Sequence, residues 1–166
     1  MDTYKIYCDE SRQNEKGYKL MGGIWIQEQE GWPFVNEFHN ICEEKIGTRP
    51  AHMKFEKATT HELYYKFYKY IVDLYFKYNN KNKMFFKTII VDDNYNFKHN
   101  HYHDGDFEIG FYKLYYYLIK NTFENNTEYH LRIAKRSVSK KQSDRGEIER
   151  LNDLKECLNA EACKWL

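Results

Sequence analysis

The acidic pair in the segment Ile6-Tyr7-Cys8-Asp9-Glu10-Ser11 carries the strongest local indication of chemistry in the sequence. The residues before it alternate between apolar and polar types, which predicts a first β-strand that ends at the two acids. A carboxylate at a strand end is held on rigid backbone, and its oxygen atoms suit a hard cation. Asp9 and Glu10 are therefore candidate metal ligands, although two ordinary acids of a hairpin loop would give the same pattern.

A second acidic pair, Asp92 and Asp93, follows the apolar run 84–91. That run predicts a central strand covered on both faces. Acids at the end of such a strand suit a functional crevice, which makes Asp92 a candidate metal ligand, but they also serve in turns. The segment 99–104 carries three His at alternate positions and suits either a second metal site or a polar connecting loop.

Positive charge is concentrated in two stretches, 66–87 and 132–145, whereas the whole chain has a formal net charge of only +1. This balance excludes a protein that binds nucleic acid through its overall charge, so a polyanion site would be a local patch. Both stretches fit such a patch, and both also fit solvated surface faces. The candidate nucleic-acid-binding residues are Arg132, Lys135, Arg136, Lys140 and Lys141.

The four cysteines have no Cys-x-x-Cys spacing, and Met1 leads into a polar segment without an apolar signal region. These features predict a cytoplasmic, reducing location, with Cys8 as a small core residue. No apolar run approaches the roughly 20 residues that a membrane helix needs. No nucleotide-binding fingerprint occurs either. We therefore expect neither a membrane role nor a nucleotide cofactor.

The elements that position these residues begin with a β-hairpin. Alternation at 4–8 and the apolar run 20–26 predict its two strands. A helix is expected from Gly31-Trp32-Pro33, because Pro favours the first turn of a helix. A short extended segment is expected at 52–56.

A long helix is expected after Thr59, because Thr59 and Glu62 fit a capping box. Helices near 107–118 and 148–158, and a strand at 129–133, follow from the same reading of apolar spacing. The order of elements predicts one α/β domain over 1–166, with a mixed sheet flanked by helices. The predicted buried stripe of the long helix is Leu63, Phe67, Ile71, Leu74, Tyr75 and Tyr78.

Several of these motifs resemble a bacterial and phage family of ribonuclease H-like proteins of unassigned function. They are the Ile-Tyr-x-Asp-Glu-Ser start, the strand 21–26, Met53-Lys54-Phe55 and the aromatic helix 111–116. The resemblance implies a metal-dependent nuclease, in which carboxylates converge on Mg²⁺ or Mn²⁺ ions that activate the attacking water. It makes Asp9 the first carboxylate and Lys54 the lysine of a Glu-x-Lys-aromatic motif, both candidate catalytic residues.

The sequence departs from the family pattern at two metal-ligand positions. His52 stands where the motif has Glu, and Ala134 stands where the family has Asp after the strand 129–133. His52 is itself a candidate ligand, and imidazole favours Zn²⁺ or Mn²⁺ over Mg²⁺. Family members also continue past position 166 into a helix with a Gln-x-Ala-Asp motif, so this domain is expected to lack their last catalytic helix.

Three explanations fit these departures: natural loss of activity, an engineered Asp-to-Ala change at position 134, or completion of the site by a further segment or a protein partner. The resemblance accordingly implies a nuclease for RNA or DNA, and the three explanations leave open whether this form is active. The alternative is a non-catalytic subunit that binds nucleic acid or protein in a larger assembly. A structural partner is a third hypothesis, because exposed Tyr residues make good interface anchors.

Overall fold

The structure is a computed structural model and describes residues 2–11, 18–51, 53, 55–92, 107–124, 126–134 and 146–163. Within these residues the strands are β1 (Asp2–Ser11), β2 (Tyr18–Gln27), β3 (Met84–Asp92) and β4 (Thr127–Ile133). The helices are α1 (Glu28–Ile46), α2 (Phe55–Ala58), α3 (Glu62–Asn79), α4 (Phe107–Ile119) and α5 (Gly146–Cys163). A 3₁₀ turn, Lys120–Thr122, follows α4. None of the described helices is long and apolar enough to cross a membrane.

The strands form one mixed sheet in the order β3-β2-β1-β4. β1 and β4 pair in parallel, with Asp2 opposite Thr127 and Cys8 opposite Ile133. The other neighbouring strands are antiparallel, and helices flank the sheet. The predicted fold class is therefore confirmed: the described residues have an α/β architecture consistent with a ribonuclease H-like fold.

The prediction that β3 is a central strand covered on both faces is wrong. β3 lies at one edge of the described sheet, and burial alternates along it. Phe86 and Ile90 on one side are 51% and 61% exposed, whereas Ile89 and Val91 on the other side are half-buried. A continuous apolar run gives the same sequence pattern whether one face or both faces of the strand are covered, so the sequence could not reveal this exposure.

The chain divides into two compact units, the first comprising 1–24 with 86–166 and the second comprising 25–85. In the first unit, β1 buries Ile6 and Cys8 on one side, and α4 packs against α5. The prediction of a single domain over 1–166 stays a prediction. The buried apolar residues of the first unit are Ile6, Cys8, Met21, Tyr115, Leu118, Ile119, Leu154 and Leu158.

The second unit has a core of its own, in which α1 packs against α3. Phe38 and Cys42 lie four residues apart on α1, so both project from one side of the helix. Phe67, Leu74 and Tyr78 contribute the buried face of α3, as the predicted stripe required. This amphipathic spacing, more than the intrinsic propensity of its many aromatic residues, explains why the segment is a helix.

Two boundaries before α3 differ from the predictions. α1 begins at Glu28, and Pro33 lies inside it. The acidic residues Glu28 and Glu30 occupy its first turn, where they interact favourably with the helix dipole. The segment 52–56 is not extended throughout, because α2 begins at Phe55.

The predicted capping box is wrong as well. α3 begins at Glu62 with His61 as its N-cap residue, and no side chain caps the helix there. Glu62 forms a salt bridge with Lys66, with 2.7 Å between the charged atoms. Leu63, expected in the buried stripe, is 40% exposed. The helix therefore begins later than the capping-box spacing implied.

Candidate functional site

Asp9 lies near the end of β1 on the exposed side of the sheet. Ile6 and Cys8 are 0% and 3% exposed. Tyr7, which lies between them, and Asp9, which follows Cys8, are both exposed. This alternation follows from the two-residue period of a β-strand. The Oδ1 atom of Asp9 accepts a hydrogen bond from the backbone N–H of Glu10 at 2.9 Å. The rest of the carboxylate faces outward, as a metal ligand would require.

Ala134 is placed beside Asp9 by the parallel pairing of β1 and β4. Tyr7 lies opposite Arg132 and Cys8 opposite Ile133, so the next step of the register brings Asp9 opposite Ala134. The backbone N–H of Ala134 donates to the Cys8 carbonyl at 3.0 Å, which continues the pairing past the end of β4. Adjacent strands are about 4.8 Å apart. A carboxylate at position 134 would therefore lie within reach of a cation bound to Asp9.

Glu10 points to the other side of the sheet from Asp9. Its Oε2 atom accepts a hydrogen bond from the hydroxyl of Tyr115 on α4. Tyr115 is completely buried, and burial, followed by the hydrogen bond to Glu10, raises the pKa of this hydroxyl. The structure therefore does not bring the neighbouring acids together, and Glu10 contributes to the packing of the first unit.

Asp92 lies at the same edge of the sheet as Asp9. β1, β3 and β4 run in one direction, because β1 and β4 are parallel and β2 is antiparallel to both β1 and β3. The strand β2 separates Asp92 from Asp9, which corresponds to about 10 Å, or two strand spacings. That separation is too long for both carboxylates to bind one ion directly, and it suits bridging through water or a pair of ions.

The exposed side of β1 and β4 mixes an aromatic ring with both signs of charge. We call it the open face and define it by Lys5, Tyr7 and Asp9 of β1 and by His130, Arg132 and Ala134 of β4. The guanidinium of Arg132 lies 5.7 Å from the centre of the Tyr7 ring. His130 lies opposite Lys5 in the register and pairs with Glu128 at 3.1 Å. A substrate that approaches Asp9 along the sheet would meet these groups.

Several predicted site residues lie outside the described residues. They include the proposed ligand His52, the catalytic candidate Lys54 and the three histidines of 99–104. Four of the basic candidates are outside as well: Lys135, Arg136, Lys140 and Lys141. Among the residues that the structure does describe, no group of three His, Cys, Asp or Glu side chains could hold a metal. The described donors near position 134 are thus Asp9 and, farther away, Asp92.

Cys8 adjoins the site without taking part in its chemistry. Its thiol is buried, and burial, followed by the charge of Glu10, raises its pKa from 9.0 to about 12. A nucleophilic cysteine needs a lowered pKa and access to solvent. These properties agree with the prediction of a small core residue.

Sequence reasoning did not identify two participants, Tyr115 and the exposed ring of Tyr7. Tyr115 belonged to the apolar stripe of its helix, and nothing in that pattern indicates a hydrogen bond to Glu10. The exposure of Tyr7 could have been predicted, because it lies between the buried Ile6 and Cys8. Tyr7 is two residues from Asp9 on the strand and so points to the same side of the sheet.

Comparison of the chain with protein-family profiles, with curated proteins and with solved structures finds no match. The assignment of a function to this site therefore depends on its own geometry and on the physical chemistry of its residues.

Proposed function

We propose that this chain is a divalent-metal-dependent nuclease of ribonuclease H-like type whose metal centre is built on Asp9 and lacks one ligand at position 134. The observation that carries the proposal is the 3.0 Å hydrogen bond from the Ala134 N–H to the Cys8 carbonyl. It holds position 134 beside Asp9 at the end of two parallel strands. The chain is then expected to bind the metal weakly and to cleave slowly or not at all.

Of the two positions at the strand ends, one supplies a ligand that suits Mg²⁺ or Mn²⁺ and the other supplies none. Asp9 offers hard oxygen atoms on an exposed face, which suit either ion. Ala134 offers none, and one carboxylate leaves most of the coordination shell to water. When bound, the metal would supply an activated water and neutralise the leaving oxygen. The contribution of Asp9 is to fix that ion at the strand end, with Arg132 two residues from position 134 available to a phosphate.

The experiment restores the missing carboxylate. Ala134→Asp, the unchanged chain and Ala134→Asp with Asp9→Ala are incubated with labelled single- and double-stranded RNA and DNA in Mg²⁺ or Mn²⁺. His130→Asp is the matched control, because it adds a carboxylate to the same side of β4, four residues away from position 134. Binding of Mn²⁺ is measured in parallel by calorimetry.

We expect Ala134→Asp to bind Mn²⁺ more tightly than the unchanged chain and to gain cleavage, and the loss of Asp9 to abolish both. His130→Asp should gain neither. Equal gains in His130→Asp would mean that added charge, rather than the position beside Asp9, attracts the ion. Absence of both metal binding and cleavage in Ala134→Asp would refute the proposal.

A non-catalytic nucleic-acid-binding subunit is the second candidate, and the observation that favours it is the lack of a carboxylate at Ala134 on a face that keeps Arg132 and Lys5. Binding without cleavage in every variant would support it. A protein partner could supply the absent ligands in either case. A reducing cytoplasmic location is part of the proposal, and the free thiols of Cys8, Cys42 and Cys157 are in keeping with it.

A further inference from the structure

The open face extends from β1 and β4 over the rest of the sheet in the first unit. A Cβ atom placed on Gly22 of β2 would lie 3.1 Å from the Cε2 atom of Phe86, so these two residues share one side of the sheet. Ile24 and Ile90 share it too, because residues two or four apart on a strand point the same way. All three side chains are exposed: Ile24 by 38%, Phe86 by 51% and Ile90 by 61%.

Burial indicates that Tyr7 lies on this same side. Met21, on the other side of β2, is 2% exposed, and Ile6 and Cys8, on the other side of β1, are 0% and 3% exposed. Neighbouring residues of adjacent strands point to the same side of a sheet, so these buried side chains belong together. The 44% exposed Tyr7 then joins the exposed Phe86 on the open face.

We infer that the open face binds single-stranded nucleic acid, with bases stacked on the rings of Tyr7 and Phe86 and the backbone phosphates near Arg132 and Lys5. The inference rests on the proposed function, since it names the substrate class of the site at Asp9. Exposed aromatic rings on a sheet are a recurring platform for unpaired bases.

The two rings belong to different strands of the sheet, so each could take a base of its own. β2 separates Tyr7 from Phe86, so their strands are about 10 Å apart. Because Gly22 has no side chain, the ring of Phe86 can lie against β2, with its Cε2 and Cζ atoms 3.1 and 3.3 Å from where a Cβ of Gly22 would be. A duplex would offer only its backbone to such a surface, because its base faces are stacked on one another. The open face therefore favours unpaired over paired bases.

The open face offers cations to phosphates, because Lys5 and Arg132 lie on it together with the acids Asp9 and Glu128. Lysine is depleted at protein–protein interfaces, whereas arginine and aromatic residues are enriched, so of the two cations beside Tyr7 it is Lys5 that disfavours a protein partner. Arg132 has no salt bridge with any residue that the structure describes, and its guanidinium carbon lies 5.7 Å from the centre of the Tyr7 ring. Its guanidinium can thus contact a phosphate while Tyr7 contacts the adjoining base. Asp9 follows two residues after Tyr7 and would meet the next phosphodiester.

Fluorescence anisotropy of labelled oligouridylate and oligothymidylate tests the inference in EDTA, where no cleavage can occur. The variants are Tyr7→Ala and Phe86→Ala, with Tyr7→Phe to keep the ring. Tyr65→Ala on α3 is the matched control, because Tyr65 is 59% exposed and lies outside the open face. Circular dichroism establishes that each variant is folded.

We expect the unchanged chain to bind both oligonucleotides and each ring-to-Ala change to weaken binding roughly 5- to 150-fold, the range for one stacked base. Tyr7→Phe and Tyr65→Ala should bind within about twofold of the unchanged chain, a change too small to reflect a lost stacking contact. Folded ring variants that bind unchanged would overturn the inference, as would equal affinity for a duplex. So would a stable dimer that Phe86→Asp dissociates, because a second copy would then cover the face.

The two proposals can fail separately. Binding in EDTA with no cleavage by Ala134→Asp would leave the open face as a binding surface and remove the nuclease. Tyr7→Ala and Phe86→Ala can each be combined with Ala134→Asp. If these combined variants still cleave and bind the oligonucleotides with unchanged affinity, the nuclease proposal stands and the stacking proposal is refuted.

Discussion

Replacing Tyr115 by Phe should lower stability at neutral pH and flatten its decline at alkaline pH. The hydroxyl of Tyr115 is buried and donates to the Glu10 carboxylate. Phe keeps the ring and its packing but cannot donate. The variant therefore isolates the hydrogen bond that holds Glu10 on the side of the sheet opposite Asp9.

The magnitude at neutral pH follows from the type of bond. A hydrogen bond to a charged group contributes about 1.5–3 kcal/mol. Glu10 is only half-buried, so water can replace part of what is lost. We expect Tyr115→Phe to reduce the free energy of unfolding by about 1–2 kcal/mol.

The alkaline effect follows from the raised pKa of Tyr115. Below the ordinary tyrosine pKa of about 10 the hydroxyl is protonated in both states, and its contribution to stability is complete. Above that value the unfolded chain releases this proton while the folded chain keeps it, so stability falls by about 1.4 kcal/mol per pH unit. In Tyr115→Phe one proton fewer is released on unfolding, so stability falls less steeply with pH.

Urea unfolding followed by circular dichroism, at neutral pH and at several values above about pH 10, measures both effects. Tyr78 and Cys8 also have pKa values raised to about 12. Because Cys8 interacts with Tyr115, the slopes are compared well below pH 12, where both groups keep their protons in the folded state and cancel in the difference. Tyr117→Phe is the control, because Tyr117 lies on the same helix and is 56% exposed. An alkaline slope that is equal in Tyr115→Phe and the unchanged chain would refute the reasoning.

Three further predictions concern the scaffold, and urea unfolding measures each. Gly47→Ala should destabilise by about 1 kcal/mol, since Gly47 ends α1 at a φ of 80° that a Cβ disfavours; an unchanged stability would contradict this. Gly31→Ala should stabilise by about 0.5–1 kcal/mol, because Gly31 is inside α1 with open space around it; a loss would reveal a hidden clash. Leu74→Ala should cost about 2–5 kcal/mol, whereas Val72→Ala, at a site 48% exposed, should change stability by about 0.5 kcal/mol or less; similar costs would place the core elsewhere.

The sequence predicted the elements well where one strong period dominates. α3 is an example, because Phe67, Leu74 and Tyr78 follow helical spacing and all three are buried. The first residue of each helix was harder to predict, because the signals for it are single residues that also occur elsewhere in proteins. Pro33 favours a first turn but is accommodated within α1, and Thr59 lies before a helix that begins without a side-chain cap.

The exposure of β3 could not be predicted from its own residues. Phe86 and Ile90 are as apolar as the less exposed Ile89 and Val91 on the other side of β3, so the type of residue does not reveal which side is covered. That depends on the order of strands in the sheet, and the order depends on pairing between distant segments. The parallel partner of β1 is more than a hundred residues away along the chain.

For the proposed site, the sequence predicted a strand that ends near Asp9, and the family resemblance drew attention to Ala134. The parallel register explains why the two belong together. The sequence interpretation made Glu10 a metal ligand together with Asp9, although neighbouring residues on a strand point to opposite sides. Asp9 and Glu10 are adjacent in sequence, which suggested a shared role. The two-residue period of a β-strand instead places their side chains on opposite sides of the sheet.

This separation has a consequence for how the site could lose or regain a metal. Glu10 is tied to buried Tyr115, so its substitution should disturb packing. Position 134 is exposed, and its bond to β1 runs from the backbone N–H to the Cys8 carbonyl. An Asp and an Ala can make that bond equally well. A ligand can thus be removed or restored at position 134 with little effect on the sheet, which would leave a binding surface around Tyr7 and Arg132 intact whether or not the chain cleaves.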